Sequence, residues 1–144
     1  MYRVHIRNDD GSLAGDSGWQ ENTVVNLGFN QYLVSTLGAI AGSKQISHAA
    51  LGSGTAPGVT ATTLEGEVEV RAAVTAATSS TSKTLQLTAT FASAASFVTN
   101  TQNISNIGLF NTSASGTVFA GNTYASSSCA TNQAVETTYQ IIFA

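Results

Sequence analysis

Residues 83–91 alternate without interruption, with Leu85, Leu87, Ala89 and Phe91 on one side and Thr84, Gln86, Thr88 and Thr90 on the other. A period of two sends successive side chains to opposite faces of an extended backbone, so this segment is predicted to be a strand with one face buried and one wet. Threonine suits the wet face because it keeps strand preference while remaining polar. The same alternation recurs at residues 2–8, where Tyr2, Val4 and Ile6 oppose Arg3, His5 and Arg7. It closes the chain as well, with Val135, Thr137, Tyr139, Ile141 and Phe143 on one face, which suggests a C-terminus locked into a sheet up to Ala144. Residues 65–74 read the same way, Glu65, Glu67, Glu69 and Arg71 facing out and Val68, Val70, Ala72 and Val74 facing in. Shorter apolar runs at 46–51, 97–98, 104–110 and 117–124 complete a set of seven or eight strands, with turn signals about every 8–15 residues. The Ser/Thr/Ala segments 75–82, 92–96 and 125–134 read as loops. That pattern predicts a mainly β chain: an antiparallel β-sandwich or jelly roll built as one domain over residues 1–144.

One helix interrupts the strands, at residues 23–40. Asn22 or Thr23 can cap it, and Val25, Phe29, Tyr32, Leu33, Leu37 and Ile40 recur at three- and four-residue steps as one apolar stripe. Gly28 inside it costs about 1 kcal/mol relative to alanine, so packing has to support the helix. Gly38 and Gly42 are its stop signals. The domain thus divides into an N-terminal arm (1–18), the helix and a β-rich body (46–144). Turn signals at Asp10-Gly11 and at residues 15–18 can return the arm as a second short strand near Trp19.

The surface of such a domain is unusual. Charged residues make up 9 % of the chain, against about 25 % in ordinary globular proteins, while about a quarter of it is Ser or Thr. A free cytosolic enzyme normally relies on charge for solubility, so this composition suits a protein packed into a larger assembly. The slightly positive mean hydropathy, +0.11, points to apolar surface covered by partners. A net charge of −3 and five basic residues that form no run argue against a nucleic-acid partner. No apolar run is long enough to cross a membrane, and the N-terminus alternates like a strand instead of reading as a signal peptide. Synthesis and folding in a cytoplasm follow as the expectation.

Motifs that could carry chemistry fail one by one. The loop after residue 51 holds Gly52, Gly54, Gly58 and the single proline, Pro57, which invites a phosphate-loop reading; but Gly58 is followed by Val59-Thr60, and no lysine occurs before Lys83. Ser53 lies between two glycines without the Gly-x-Ser-x-Gly elbow of a hydrolase, and neither His5 nor His48 has a triad context. The three glutamates of 65–69 look like paired catalytic carboxylates, but a solvated strand face has the same appearance, and a glycosidase needs two carboxylates across a cleft. Asp9, Asp10 and Asp16 lack the alternate-ligand spacing of a calcium loop. Cys129, the sole cysteine, can form neither an internal disulfide nor a zinc site, and its Ser-rich surroundings read as a loop. The expectation is a non-enzymatic protein with no cofactor and no metal.

Several segments, in order, resemble small structural proteins of tailed-bacteriophage virions. They are the helix opening with Gly28-Phe29-Asn30; the loop Leu51-Gly52-Ser53-Gly54-Thr55-Ala56-Pro57; Thr63-Leu64-Glu65-Gly66-Glu67-Val68 with Arg71; Ile104-Ser105-Asn106-Ile107-Gly108-Leu109-Phe110-Asn111; and the closing alternation through Phe143. Asn106 stands where that family usually has an acid, and Arg71 sits two residues late. The resemblance implies a virion component without catalytic residues, either a capsid decoration (cement) protein or a tail or fibre component that could bind carbohydrate. The absence of heptads and repeats favours decoration. Its partners would then be the major capsid protein and copies of itself as a homotrimer, many shallow contacts adding by multivalency. The candidate contact residues are Tyr2, Arg3 and Arg7 on the arm, Trp19 beside its turn, and Ser53, Thr55 and Pro57 in the glycine loop. A lone tryptophan beside a turn is either core or an interface anchor, and core is the reading favoured here.

Overall fold

A computed structural model describes residues 1–79, 81 and 83–143. Residues 80 and 82 of the segment read as a loop, and Ala144, read as locked into a strand, lie outside the described residues. Among the described residues ten strands form two antiparallel sheets packed face to face, a β-sandwich as the alternation predicts. The strands are β1 (Tyr2–Arg7), β2 (Leu13–Asp16), β3 (Thr23–Val24), β4 (His48–Gly52), β5 (Ala72–Ala73), β6 (Thr75–Ser79), β7 (Thr84–Phe91), β8 (Gln102–Phe110), β9 (Val118–Cys129) and β10 (Ala134–Ile142). The first sheet has the order β2-β1-β10-β7-β6, the second β3-β9-β8-β4-β5. The arm does return as β2, hydrogen-bonded to β1 through a bulge at Ile6/Arg7.

Between the sheets most of the inward positions read from the sequence are the core, but Phe143, which lies past the end of β10, and Val70 are exposed. Tyr2, Val4 and Ile6 of β1, Leu87, Ala89 and Phe91 of β7, and Val135 and Tyr139 of β10 meet Ala49, Leu51, Ile104, Ile107, Leu109 and Phe119 of the second sheet. Burying each large apolar side chain stabilises the fold by about 1.5–3 kcal/mol before conformational entropy is subtracted.

Several predicted elements come out differently, and residues 97–98, read as a short strand, lie in irregular chain between β7 and β8. The helix (α1) is shorter than 23–40: Thr23–Val24 pair with β9 as β3, and the helix is π-helical over Gly28–Val34 and α-helical over Ser35–Leu37. Its bonding reaches five residues back, Ser35 N donating to Asn30 O. This rotates the three- and four-residue stripe off one face, so Tyr32 is buried while Phe29, Leu37 and Ile40 are exposed. Residues 65–71 are irregular, with a single bridge from Glu67 to Gly52, and regular pairing is confined to Ala72–Ala73. Four residues of extended chain span about 13 Å, too far for the bidentate pair that Arg71 makes with Glu67, at 2.5 and 3.0 Å. Conversely, residues 75–79 and 125–129, read as loops, are strand.

The second sheet carries a further layer. Residues 53–66 leave β4 and fold back as a flap over its outer face. There Leu64 and Ala61 pack with Val25, Ala50, Phe110 and Val118 as a separate small core.

Candidate contact surfaces

Of the seven residues predicted to face a partner, two are inside the protein. Tyr2 is fully buried, its ring stacked on Tyr139 at 5.4 Å and its hydroxyl donating to Thr123 O at 2.5 Å. The inward parity of β1 that makes Val4 and Ile6 core applies equally to Tyr2. Pro57 is buried where the flap crosses β9, close against Gly121. A Cβ at Gly121 would stand 2.5 Å from Ile107 O and 2.8 Å from Pro57 Cγ, so only glycine fits between β8 and the proline. The two corrections have separate causes: strand parity buries Tyr2, and Pro57 is buried because the glycine loop does not project but lies on the sheet.

The other five do reach the surface, in separate places. Arg3 and Arg7 project from the outer face of the first sheet. Arg3 pairs with Asp16 across the β1–β2 ladder at 2.5 Å, and Arg7 with Glu136 of β10 at 2.6 Å while donating to Gly11 O at 3.1 Å. The pairing with Arg3 holds the Asp16 carboxyl well below the usual carboxylate range. Trp19 is 44 % exposed, so the favoured reading of it as core is wrong. Gln20 pairs back to Tyr2 through the backbone and leaves the indole outside. Ser53 and Thr55 are exposed on the flap, and Thr55 donates from both its backbone nitrogen (2.9 Å) and its hydroxyl (2.5 Å) to Glu65 Oε2. Those bonds lower the Glu65 pKa and use the carboxylate to pin the flap's two arms together.

The residues weighed for chemistry are also employed structurally. Asp10 accepts from Ser12 N within its own turn, and Asp9 accepts from Asn132. Among the described residues no three His, Cys, Asp or Glu side chains gather as a metal would require. His48 shares a hydrogen bond with the neighbouring Ser47, and burial with the nearby Arg71 charge lowers its pKa. Cys129 ends β9 instead of lying in a loop; it is fully buried, and desolvation raises its pKa.

Sequence reasoning missed two features. Arg71, expected on an outward strand face, is buried to 6 % side-chain exposure. Its guanidinium lies 3.5 Å over the Phe110 ring, pairs with Glu67 and donates to the carbonyls of Thr112 and Ser115, so it joins the end of the flap to the β8–β9 turn. The second is an apolar flank. Where β5 stops after two residues, the sandwich lies open between α1 and the ends of β6, β7 and β10, leaving a cavity of about 360 Å³ lined by Leu33, Leu85, Leu87, Phe119 and Ile141. Leu37, 89 % exposed, and Phe143, 51 % exposed, stand at the same cavity. Phe29, Leu37 and Ile40 belong to the stripe that the sequence assigns to a buried face, and only the π-helical winding of 28–34 turns them outward, so no local pattern signalled this flank.

No family model, curated protein or solved structure matches the chain.

Proposed function

We propose that this chain is a non-enzymatic structural component of a bacteriophage particle, most simply a capsid decoration protein that binds the outer shell with copies of itself, as a homotrimer, and stabilises it against internal pressure. The observation that carries the reading is the apolar flank: Leu37, Val34, Ile40 and Phe143 are exposed on a domain that has few charges to keep such surface solvated. Covering them is what an assembly partner would do. The ordered sequence resemblance to small virion proteins supplies the class of assembly. Five of the predicted contact residues (Arg3, Arg7, Trp19, Ser53 and Thr55) are accessible to a shell protein, and many weak contacts repeated over a lattice suffice for retention.

The test is light scattering over a concentration series, followed by co-sedimentation with emptied phage shells. A self-associated protein that pellets with shells supports decoration. Protein that ignores shells but joins purified tails replaces decoration with the tail reading, and glycan binding would favour a receptor-binding role. Replacing Trp19 by alanine is expected to leave the fold intact, with a stability change below about 1 kcal/mol. Loss of shell binding in that folded variant would make the indole an anchor.

A further inference from the structure

A sandwich of two open sheets has four edges, and three of them here are guarded. β3 and β5 have two residues each, and the length of β9 beyond β3 is broken by a bulge opposite Ile104 and Asn106; β2 has four, carries Asp16 and meets β1 through a bulge. Short strands, charges and bulges are the usual devices that keep an edge from pairing with another chain. The fourth edge has none of them. β6 (Thr-Ala-Ala-Thr-Ser) is exposed along its whole length and contains no charge, proline or bulge; among the described residues its one strand neighbour is β7, in unbroken register from Thr75↔Thr88 to Ser79↔Thr84.

We infer that β6 is a self-pairing edge: two copies of this chain join antiparallel through β6 across a two-fold axis, forming one continuous ten-stranded sheet. The strand is complementary to itself. Centred on Ala77, the pairing sets Ala77 opposite Ala77, Ala76 opposite Thr78 and Thr75 opposite Ser79, with no like charges and no bulky side chain to hold the backbones apart. An uncharged edge has nothing with which to select a charged partner and nothing to repel its own copy. The strand alone is small beside the roughly 800 Å² per partner of a stable interface. It does not act alone, because Ala76 lines the same apolar cavity as Leu37 and Phe143. Each copy therefore presents both a protruding side chain and a hollow beside its edge, the self-complementary arrangement a two-fold contact needs. The inference extends the assembly reading above by naming the surface through which copies meet. A two-fold contact cannot by itself close a trimer, so it gives a dimer or, where the trimer also forms, doubles it.

The experiment is the solution mass of the full chain, read by light scattering against concentration. Wild type is expected at an even multiple of 14.7 kDa. Ala77→Lys places two ammonium groups opposite each other and should halve that mass, as should Ala77→Glu. An equal mixture of the two variants should restore it. Thr90→Lys, which adds the same charge to the same sheet away from this edge, should leave the mass unchanged. Amide exchange on the unmodified protein gives a reading that needs no variant: protection over residues 75–79 should rise with concentration. A wild-type mass that is monomeric or odd at every concentration, a lysine variant that keeps the wild-type mass, a mixture that fails to re-associate, or exchange independent of concentration would each overturn the inference. Failure to sediment with shells, with all these results as expected, would overturn the capsid-decoration reading alone.

Discussion

Asn106 is fully buried on β8, and its amide nitrogen donates to Thr55 O at 3.1 Å and to Glu65 O at 3.0 Å, one carbonyl on each arm of the flap. Its cross-strand partner is Gly52, where a Cβ would fall 2.5 Å from the Asn106 side-chain oxygen and 2.8 Å from Glu65 O. The flap can therefore lie down only because position 52 has no side chain and position 106 has an amide. The sequence singled out Asn106 only as a departure from an acid. Geometry supplies the reason: a carboxylate there would direct a negative charge at two carbonyl oxygens. Replacing Asn106 with alanine strands Thr55 O beneath the flap and leaves Glu65 O with Gly54 N alone, at a cost of about 1–3 kcal/mol. A lowered urea midpoint, together with faster proteolysis within residues 53–66, is the expected result. An unchanged midpoint would mean that Glu65 and the small core under Leu64 hold the flap without it.

At the scale of elements, α1 shows how context reverses a propensity. A glycine inside an ordinary helix is about 1 kcal/mol worse than alanine, so Gly28→Ala would normally stabilise. Here a Cβ at Gly28 would overlap the Phe119 carbonyl of β9, and backbone on both sides of that contact leaves nothing flexible to move. Gly28→Ala is accordingly expected to destabilise, by about 1–3 kcal/mol, read as a fall in thermal midpoint; a rise would show that the helix can lift off the sheet. The same helix marks where sequence reading runs out. β1, β7 and β10 were legible because each separates an apolar face from a polar one, and the structure buries those apolar faces except at Phe143, beyond the end of β10. β6 and the far half of β9 were illegible because their exposed Ser, Thr and Ala have the composition of a loop, and only pairing to β7 and β8 makes them strands. Residues 65–71 failed in the opposite sense, since alternating Glu and Val imitates a strand while Glu67 and Arg71 in fact close on each other. Among the contact candidates, Arg3 and Arg7 followed from strand parity, which also should have excluded Tyr2. The burial of Pro57 depends on a flap whose path no local pattern records.

Across the whole molecule, tyrosines link the parts that would have to separate on unfolding. Tyr2 of β1 stacks on Tyr139 of β10 and meets Tyr124 of β9 edge-on at 6.2 Å, so one cluster spans both sheets. Tyr139 donates to Asn22 before β3, and Tyr32 ties α1 to Thr117 O and Asn111. Desolvation pushes the phenols of Tyr2 and Tyr32 up to about 12 and raises those of Tyr124 and Tyr139 as well. For groups whose pKa is higher folded than unfolded, the stabilising contribution is fully present below the unfolded value, near 10, and drains away as pH climbs through the folded value. Urea midpoints are therefore expected to hold until about pH 10 and to fall steeply between there and pH 12, with phenolate absorbance rising in step with loss of β-sheet circular dichroism. Tyr2→Phe removes one titrating group as well as the bond to Thr123 O, so it should lower stability at neutral pH yet flatten the alkaline slope. A variant equally destabilised at pH 8 and pH 11 would break the link between this cluster and the alkaline transition. The outcome bears on assembly too, since the cluster joins β1 and β9, and loosening it opens the sandwich whose outer surfaces the proposed partners would bind.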